Sequence, residues 1–259
     1  MLIAQISDVH VGGGRYREDL LRRAIEEINA QDPDLVVIAG DLTDDGYPDQ
    51  YPLAFQELGK IACEHVVAVP GNHDARNVGY LRFEDTFGPR DTRLRLELQQ
   101  LEVALVAVDS SKPDLDEGEI GREHYGWIQE GFQGEADLRV FVCHHHLMPI
   151  PGTGRERNVV HDAGDTLEVL QRAKVNLVLS GHKHVPYAWR LEDLFVVNAG
   201  TVSSLRVRGY TRPCYNVVEI GDDLVDIYRR YPYHDRETII RFSTRTLAYE
   251  KHPPQRGSR

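Results

Sequence analysis

Short apolar runs recur along most of the chain and predict buried β-strands. They read LIAQIS, LVVIAG, HVVAVPG, VALVAVD, RVFVCH, NLVLSGH and FVVNAG. Each run is rich in β-branched residues and ends in glycine or a polar residue, as strands buried on both faces do.

Helical patterns lie between several of these runs. Segment 17–29 carries an apolar stripe from Leu20 to Ile28, and segment 162–173 repeats this spacing. Segment 121–132 predicts a shorter helix. Because strands and helices alternate over the first two thirds of the chain, the sequence predicts an α/β fold with a largely parallel sheet.

The pattern changes after Gly200. The runs YNVVEI, LVDIYRRY and TIIRFSTRTL predict antiparallel strands joined by short turns. The sequence leaves two alternatives for these strands: they form the edge of a homodimer, or they cap a second sheet. No linker or repeat divides the chain, so we expect one domain over 1–250 and a flexible, proline-rich tail over 251–259.

Polar side chains follow five of the predicted strands where each strand ends. They are Asp8 and His10, Asp41 and Asp44, Asn72 and His73, the triplet His144 to His146, and His182 and His184. Taken singly, each group is weak evidence. The carboxylate and amide groups are common in turns, loops and helix caps, and the histidine groups are also explained as a solvated loop or as exposed histidines. The carboxyl ends of parallel strands meet at one edge, where α/β proteins bind ligands. The five groups together therefore predict a single site.

The residue types indicate a metal site. Imidazole, carboxylate and amide ligands without thiolate suit Mn, Fe, Zn or Co better than Ca or a thiolate-bound structural zinc. A carboxylate can bridge two cations, and two metals about 3.5–4 Å apart can clamp an in-line phosphoryl displacement. His182 and His184 lie on the same side of an extended segment, so each can serve a different metal.

Composition and charge narrow the class of partner. Lysine and arginine total 30 against 41 acidic residues, and the net charge of −11 argues against nonspecific nucleic-acid binding. No apolar run is long enough to cross a bilayer, and no secretory signal is visible, so a cytoplasmic protein is expected. The three cysteines are scattered, which favours free thiols in a reducing compartment.

In order and spacing, the five motifs resemble those of the calcineurin-like metallophosphoesterase superfamily. That pattern is D-x-H, G-D, G-N-H-[DE], a strand ending in histidine, and G-H-x-H. The resemblance runs from Leu2 to about Thr201 and is closest to small bacterial members related to cyclic-nucleotide phosphodiesterases. It implies a four-layer αββα sandwich of two packed mixed sheets, with the metal site at the carboxyl ends of the strands.

The resemblance also implies a set of metal ligands. For the first metal these are Asp8, His10 and His184, with Asp41 as the bridge. For the second metal they are Asn72, His182 and one histidine of the triplet. We take His144, because the family's ligand is the first histidine after the strand, and His145 is the alternative.

Two further residues correspond to the family's catalytic pair. His73 would stabilise the transition state or protonate the leaving oxygen without binding metal. Asp44 corresponds to the carboxylate that orients this histidine, and a turn cap is the alternative role for it.

The chain departs from some branches of the superfamily. In the stretch 40–46 an aspartate replaces the arginine of the protein phosphatases, and the chain is too short for the nuclease branch's DNA-binding domains. Candidates for substrate binding are Arg155 and Arg157, in the glycine-rich loop after the histidine triplet, and Arg206, in a stretch that also contains Arg208 and Arg212. Arginine suits bidentate contact with phosphate.

We therefore expect a metal-dependent phosphoesterase that hydrolyses small phosphodiesters with metal-activated hydroxide and two metal ions, Mn, Fe or Zn. Cyclic nucleotides are the first candidate substrates. One alternative is a nucleotide or sugar phosphomonoesterase. Another is an inactive scaffold of the same fold, against which the intact ligand set argues.

Overall fold

The computed structural model describes residues 1–153, 158–208, 211–222, 224–243 and 249–252. The strands in these ranges are β1 (Leu2–Ile6), β2 (Leu35–Ala39), β3 (Val66–Val69), β4 (Thr92–Leu98), β5 (Leu101–Ala107), β6 (Leu138–Val142), β7 (Leu177–Ser180), β8 (Tyr187–Leu191), β9 (Leu194–Asn198), β10 (Tyr215–Ile220), β11 (Leu224–Arg230), β12 (Arg236–Ser243) and β13 (Tyr249–Lys251). The α-helices are α1 (Glu18–Asn29), α2 (Gln50–Leu58), α3 (Gly79–Phe87), α4 (Arg122–Gly131) and α5 (Ala163–Arg172).

These strands form two mixed sheets. The first sheet has the order β13-β12-β11-β10-β1-β2-β3, and the second has the order β4-β5-β6-β7-β9-β8. In the first sheet β1, β2 and β3 are parallel, and the strands from β10 onward are antiparallel. In the second sheet β5, β6, β7 and β9 are parallel, with antiparallel β4 and β8 at the edges.

Alternating side chains on the strands build the layers. In β2, Leu35 and Val37 pack between the two sheets, whereas Val36 and Ile38 face the helices that cover the first sheet. The same alternation in β5 directs every second residue to the core between the sheets and the others to α4 and α5. The predicted αββα sandwich of two mixed sheets is thus confirmed.

Helix α1 shows how the sequence sets these contacts. Its first turn carries Glu18 and Asp19, which interact favourably with the positive end of the helix dipole. Its apolar stripe, including Leu21 and Ile28, is buried against the first sheet. The predicted helices over 17–29, 121–132 and 162–173 all form, with ends that differ by about one residue.

Some elements were not expected from the sequence. They are α2, α3, β4, β8 and β13. Helix α2 exposes Leu53 and Phe55, which blurs its apolar stripe, and β4 is only partly buried. The strands expected after Gly200 form, and they extend the first sheet beyond β1. Lys251, the first residue of the expected tail, pairs with Ile240, and residues 253–259 lie outside the described ranges.

The structure also bears on the cysteines and on membrane-spanning helices. The three cysteines are free; Cys143 and Cys214 are buried, and Cys63 is half-buried. In the described part of the chain, no helix is both long and apolar enough to cross a bilayer.

Candidate metal centre

The polar groups that follow the strands meet at one edge of the sandwich. Asp8 and His10 follow β1, Asp41 follows β2 and Asn72 follows β3, all in the first sheet. His144 follows β6, and His182 and His184 follow β7, in the second sheet. All these side chains are buried. The structure therefore brings every proposed metal ligand to the seam between the two sheets.

Several of these residues adopt a strained backbone. Positive φ angles occur at Asp8 (54°), His10 (55°), Asp41 (55°), His182 (85°) and His184 (58°). In this left-handed region the Cβ atom of an L-residue crowds the backbone, at a cost of roughly 1–3 kcal/mol for each residue. Strain of this kind persists where the surrounding structure fixes a functional side chain.

One group of ligand atoms surrounds Asp8. The Nε2 atoms of His10 and His184 lie 2.9 Å apart, and His184 Nε2 is 3.3 Å from Asp8 Oδ1. This oxygen is buried and has no hydrogen-bond partner among the described residues. Imidazole nitrogens and an unpartnered carboxylate oxygen that face one point fit a bound cation.

A second group surrounds Asn72. Its Oδ1 lies 3.2 Å from His144 Nε2 and 3.0 Å from His182 Nδ1. Between the two groups lies Asp41, whose Oδ2 is 3.7 Å from His10 Nε2 and 3.4 Å from His144 Nε2. Asp41 thus lies where a carboxylate that bridges two cations would lie.

The electrostatics place most of these groups in the ligand form. Burial raises the pKa of Asp8, but the neighbouring His184 and His144 together outweigh burial, and the pKa falls to about 2. Burial likewise opposes ionisation of Asp41, whereas His144 and its other histidine neighbours hold that pKa well below its ordinary value. Burial lowers the pKa of His10, so this imidazole is neutral. Metal ligation needs ionised carboxylates and neutral imidazoles.

His144 and His184 depart from this pattern. Burial lowers the pKa of His184, but Asp8 and its other polar neighbours together raise it above its ordinary value. Burial lowers the pKa of His144, but the neighbouring Asp41 and Asp8 carboxylates and the Ala39 carbonyl together outweigh burial and raise it to about 9. A metal ion at this nitrogen would therefore displace a proton.

Contacts within the histidine triplet favour His144 as the ligand. Its Nδ1 donates to the carbonyl oxygen of Ala39 at 2.7 Å, which leaves Nε2 facing the centre. The ring of His145 is occupied elsewhere: Nδ1 lies 2.8 Å from Ser110 Oγ, and Nε2 lies 3.3 Å from the carbonyl oxygen of Asp116.

His73 and Asp44, the expected catalytic pair, make contact mainly through the main chain of Asp44. His73 Nδ1 contacts the backbone oxygen of Asp44, while the Asp44 carboxylate is 3.9 Å from this nitrogen. The carboxylate approaches His10 Nδ1 more closely, at 3.1 Å. The main chain of Asp44 therefore holds His73, and the Asp44 carboxylate lies nearer to His10 than to His73.

Two neighbours of the centre were not expected from the sequence. Arg76 lies 3.0 Å from His73 Nδ1 and donates to Asp116 at 2.8 Å. Asp116 also accepts from Nδ2 of Asn72 at 3.3 Å, which turns the amide oxygen toward His144. Arg76 carries a weak sequence signal, three residues after His73. Asp116 carries none, because it belongs to the long loop after β5.

A cleft of about 200 Å³ opens over the centre. It is lined by Asp41, Asn72, His73, Arg76, Asp116, His182, Lys183, His184, Arg206 and Arg208. The backbone oxygen of Arg206 accepts from Nδ1 of His184, and the Arg206 side chain is exposed at the rim. Arg155 and Arg157, the other two candidates for substrate binding, lie outside the described residues.

Comparison with known proteins is consistent with this centre. Residues 1–186 match the family described as calcineurin-like phosphoesterase. A probable glycerophosphodiester phosphodiesterase GpdQ from Arcobacter nitrofigilis is 29% identical over 156 residues, or 56% of this chain and 57% of that protein. A cAMP/cGMP dual specificity phosphodiesterase from Mycobacterium tuberculosis is 29% identical over 276 aligned positions, covering 93% of this chain and 82% of that protein. The chain thus spans little more than half of the first relative.

Solved structures share the fold. GAP50, described as the anchor in the inner membrane complex of Plasmodium, gives a TM-score of 0.65 at 15% identity, covering 92% of this chain and 88% of that one. Purple acid phosphatase PPD1 from yellow lupin seeds gives 0.63 at 14% identity, covering 92% and 53%. At such identities the likeness concerns the fold alone.

Proposed function

The chain belongs to the calcineurin-like phosphoesterase family, which makes it a hydrolase of phosphoester bonds, and we propose that it uses two metal ions to hydrolyse small phosphodiesters. The relatives are named for different substrates, glycerophosphodiesters in one case and cyclic nucleotides in the other. The bond type common to both names is the phosphodiester. This common chemistry supports diesters over monoesters.

The position of Asp41 carries the proposal. Its carboxylate lies between two groups of ligand atoms, at 3.7 Å from His10 Nε2 and 3.4 Å from His144 Nε2. We assign the first metal to Asp8, His10 and His184, and the second to Asn72, His144 and His182, with Asp41 shared. The mixture of nitrogen and oxygen donors without thiolate suits Mn, Fe or Zn.

When bound, the metal pair supplies Lewis acidity that activates water and offsets the charge on the phosphate. The chain's own residues hold and protonate the substrate. His73 faces the cleft, and its Nδ1 donates to the main-chain oxygen of Asp44, with the Arg76 guanidinium 3.0 Å from the same nitrogen. With Nδ1–H held by the Asp44 carbonyl oxygen, the imidazolium form of His73 can donate its Nε2 proton to the leaving oxygen and remain as the neutral Nδ1–H tautomer, a step that typically contributes about 10²–10⁴ in rate.

Hydrolysis by chelator-stripped protein tests the proposal. Mn, Fe, Zn, Co or Mg is added back, and bis-p-nitrophenyl phosphate, p-nitrophenyl phosphate and 3′,5′-cyclic AMP are offered in parallel. We expect at least one metal to restore turnover and the diesters to exceed the monoester in kcat/KM. A preference for the monoester would overturn the assignment of diesters as substrates. If the protein bound metal stoichiometrically but turned over none of the substrates with any metal, its assignment as an enzyme would be overturned.

A further inference from the structure

The rim of the cleft carries three cationic side chains that the metal centre does not use. Lys183, Arg206 and Arg208 all line it. No carboxylate in the described ranges lies within ion-pairing distance of any of the three. Arg76, by contrast, pairs with Asp45 at 3.1 Å and with Asp116 at 2.8 Å. The first three cations are therefore available to an incoming anion, whereas Arg76 is already neutralised.

Holding these three charges together is unfavourable for the free protein. Lys183 is half-buried between His182 and His184, and the exposed Arg206 and Arg208 line the same cleft. Like charges that face one cleft repel each other, and this repulsion is relieved when an anion binds between them. Such a cluster is also unusual in a chain whose net charge is −11.

We propose that Lys183, Arg206 and Arg208 form a second anion subsite, a role that rests on the proposed function. The subsite binds a phosphate or carboxylate carried on one arm of the phosphodiester substrate. The phosphate that is cleaved carries a single negative charge in a diester, and it lies at the metals. A diester with two neutral arms leaves the three cations unpaired. A cyclic mononucleotide has no second anion and gains nothing from the subsite, which therefore favours a diester with an additional charge.

The test compares two nucleotides that differ by one phosphate. Adenosine 5′-monophosphate and adenosine 3′,5′-bisphosphate are titrated by calorimetry into the manganese-loaded full chain. Charge-assisted contacts to phosphate are stronger than neutral ones, and we expect the bisphosphate to bind at least about tenfold more tightly. Its advantage should shrink as salt is added, because exposed charges are screened.

Matched variants locate the effect. Arg208→Ala and, separately, Arg206→Ala should each reduce the bisphosphate preference at least about fivefold, since each removes an exposed cation from the subsite. Arg82→Ala removes the same charge from an exposed position on α3 and should leave the preference unchanged. Equal affinity for the two nucleotides in the wild type would overturn the subsite, and so would a preference that neither rim variant reduces.

The two proposals fail in different ways. Turnover of bis-p-nitrophenyl phosphate by the same preparations reports on the proposed function alone. Turnover without any bisphosphate preference would remove the subsite and spare the phosphodiesterase. Absence of turnover would remove the phosphodiesterase whatever the calorimetry shows.

Discussion

At the scale of single residues, the proposed ligands share one device: the protein engages one polar atom and leaves the other for the metal. His144 donates through Nδ1 to Ala39, and His184 donates through Nδ1 to Arg206. Since a carbonyl oxygen can only accept, each bond fixes the tautomer that leaves Nε2 free. Asn72 follows the same rule, with Nδ2 held by Asp116 and Oδ1 turned to the centre.

This device predicts a role for Asp116 in metal binding. In Asp116→Ala the Asn72 amide loses the acceptor that sets its orientation, so affinity at the second metal should fall about 10–100-fold. Affinity at the first metal should stay near wild type. Titration of stripped protein with manganese resolves the two steps, and Asp85→Ala, an exposed change on α3, serves as the control. An unchanged second step would show that Asp116 does not position Asn72.

The roles assigned to His73 predict a separation of chemistry from metal binding. His73→Ala should lower kcat by about 10²–10⁴, because the leaving oxygen loses its proton donor. Metal content should stay at the wild-type level, and the exposed His234→Ala should change neither quantity. Loss of metal in His73→Ala would identify this histidine as a ligand and contradict the assignment.

Much of the site can be predicted from sequence, and what is missed has a physical reason. Asp8, His10 and the other motif residues immediately follow strands, so parallel pairing brings those of each sheet to one edge. The packing of the two sheets, which strand pairing alone does not encode, then joins the two sets. Arg76 and Asp116 reach the site through loop conformation, which no periodicity encodes. The preference for His144 over His145 likewise depends on a tertiary contact, the Ser110 hydroxyl that occupies the His145 ring.

At the scale of elements, the loops after neighbouring strands are fastened to each other. The buried carboxylate of Asp74 accepts from Leu42 N at 3.0 Å, Thr43 N at 2.8 Å and Gly71 N at 2.9 Å. It therefore ties the loop after β2 to the loop after β3. Gly181, directly after β7, packs against the loop after β1 so closely that an added Cβ would overlap Ser7 and lie 2.7 Å from Asp8 Oδ2.

This close approach predicts opposite effects for two glycine substitutions. Gly181→Ala should lower the free energy of unfolding by roughly 1–3 kcal/mol, because the methyl group overpacks a buried site, and should weaken metal binding through Asp8. Gly164→Ala, in α5 with open space around it, should instead raise stability by roughly 0.4–1 kcal/mol. Denaturant unfolding measures both changes. Equal stability changes in the two variants would show that the loop contact is not tight.

The sequence predicts the strands and helices whose apolar residues form a complete buried run or stripe, and it misses those that are only partly buried. The strand runs such as β2 are apolar on both faces, because each lies between a sheet and a helical layer. In β4 only alternate residues, such as Leu94 and Leu96, pack against the core, so the segment lacks a continuous apolar run. Helix α2 exposes Leu53, which conceals its buried face.

At the scale of the whole molecule, the metal centre joins the two sheets. Asp8, Asp41 and Asn72 come from the first sheet, whereas His144 and the His182–His184 pair come from the second. Ions held by both sets of ligands would add to the apolar contacts between the sheets. Their binding should therefore stabilise the whole sandwich.

Thermal unfolding with and without metal tests this coupling. Ligand at a hundredfold excess over its Kd stabilises a protein by about 2.7 kcal/mol per site, or about 5 kcal/mol for two sites, so chelation should lower Tm by roughly 10–20 °C. His73→Ala should show the same metal-dependent shift as wild type, since His73 is not a proposed ligand. A Tm that chelation leaves unchanged would contradict a metal centre that spans the sheets.

The most direct measurement is the metal content of wild type and Asp41→Ala after reconstitution with manganese and removal of excess metal. Because one carboxylate is proposed to serve both ions, wild type should hold about two ions per chain and Asp41→Ala fewer than about one, with no phosphodiesterase activity. Circular dichroism checks that the variant remains folded. A wild type that binds only one ion, or an Asp41→Ala variant that keeps two, would contradict the shared dinuclear site.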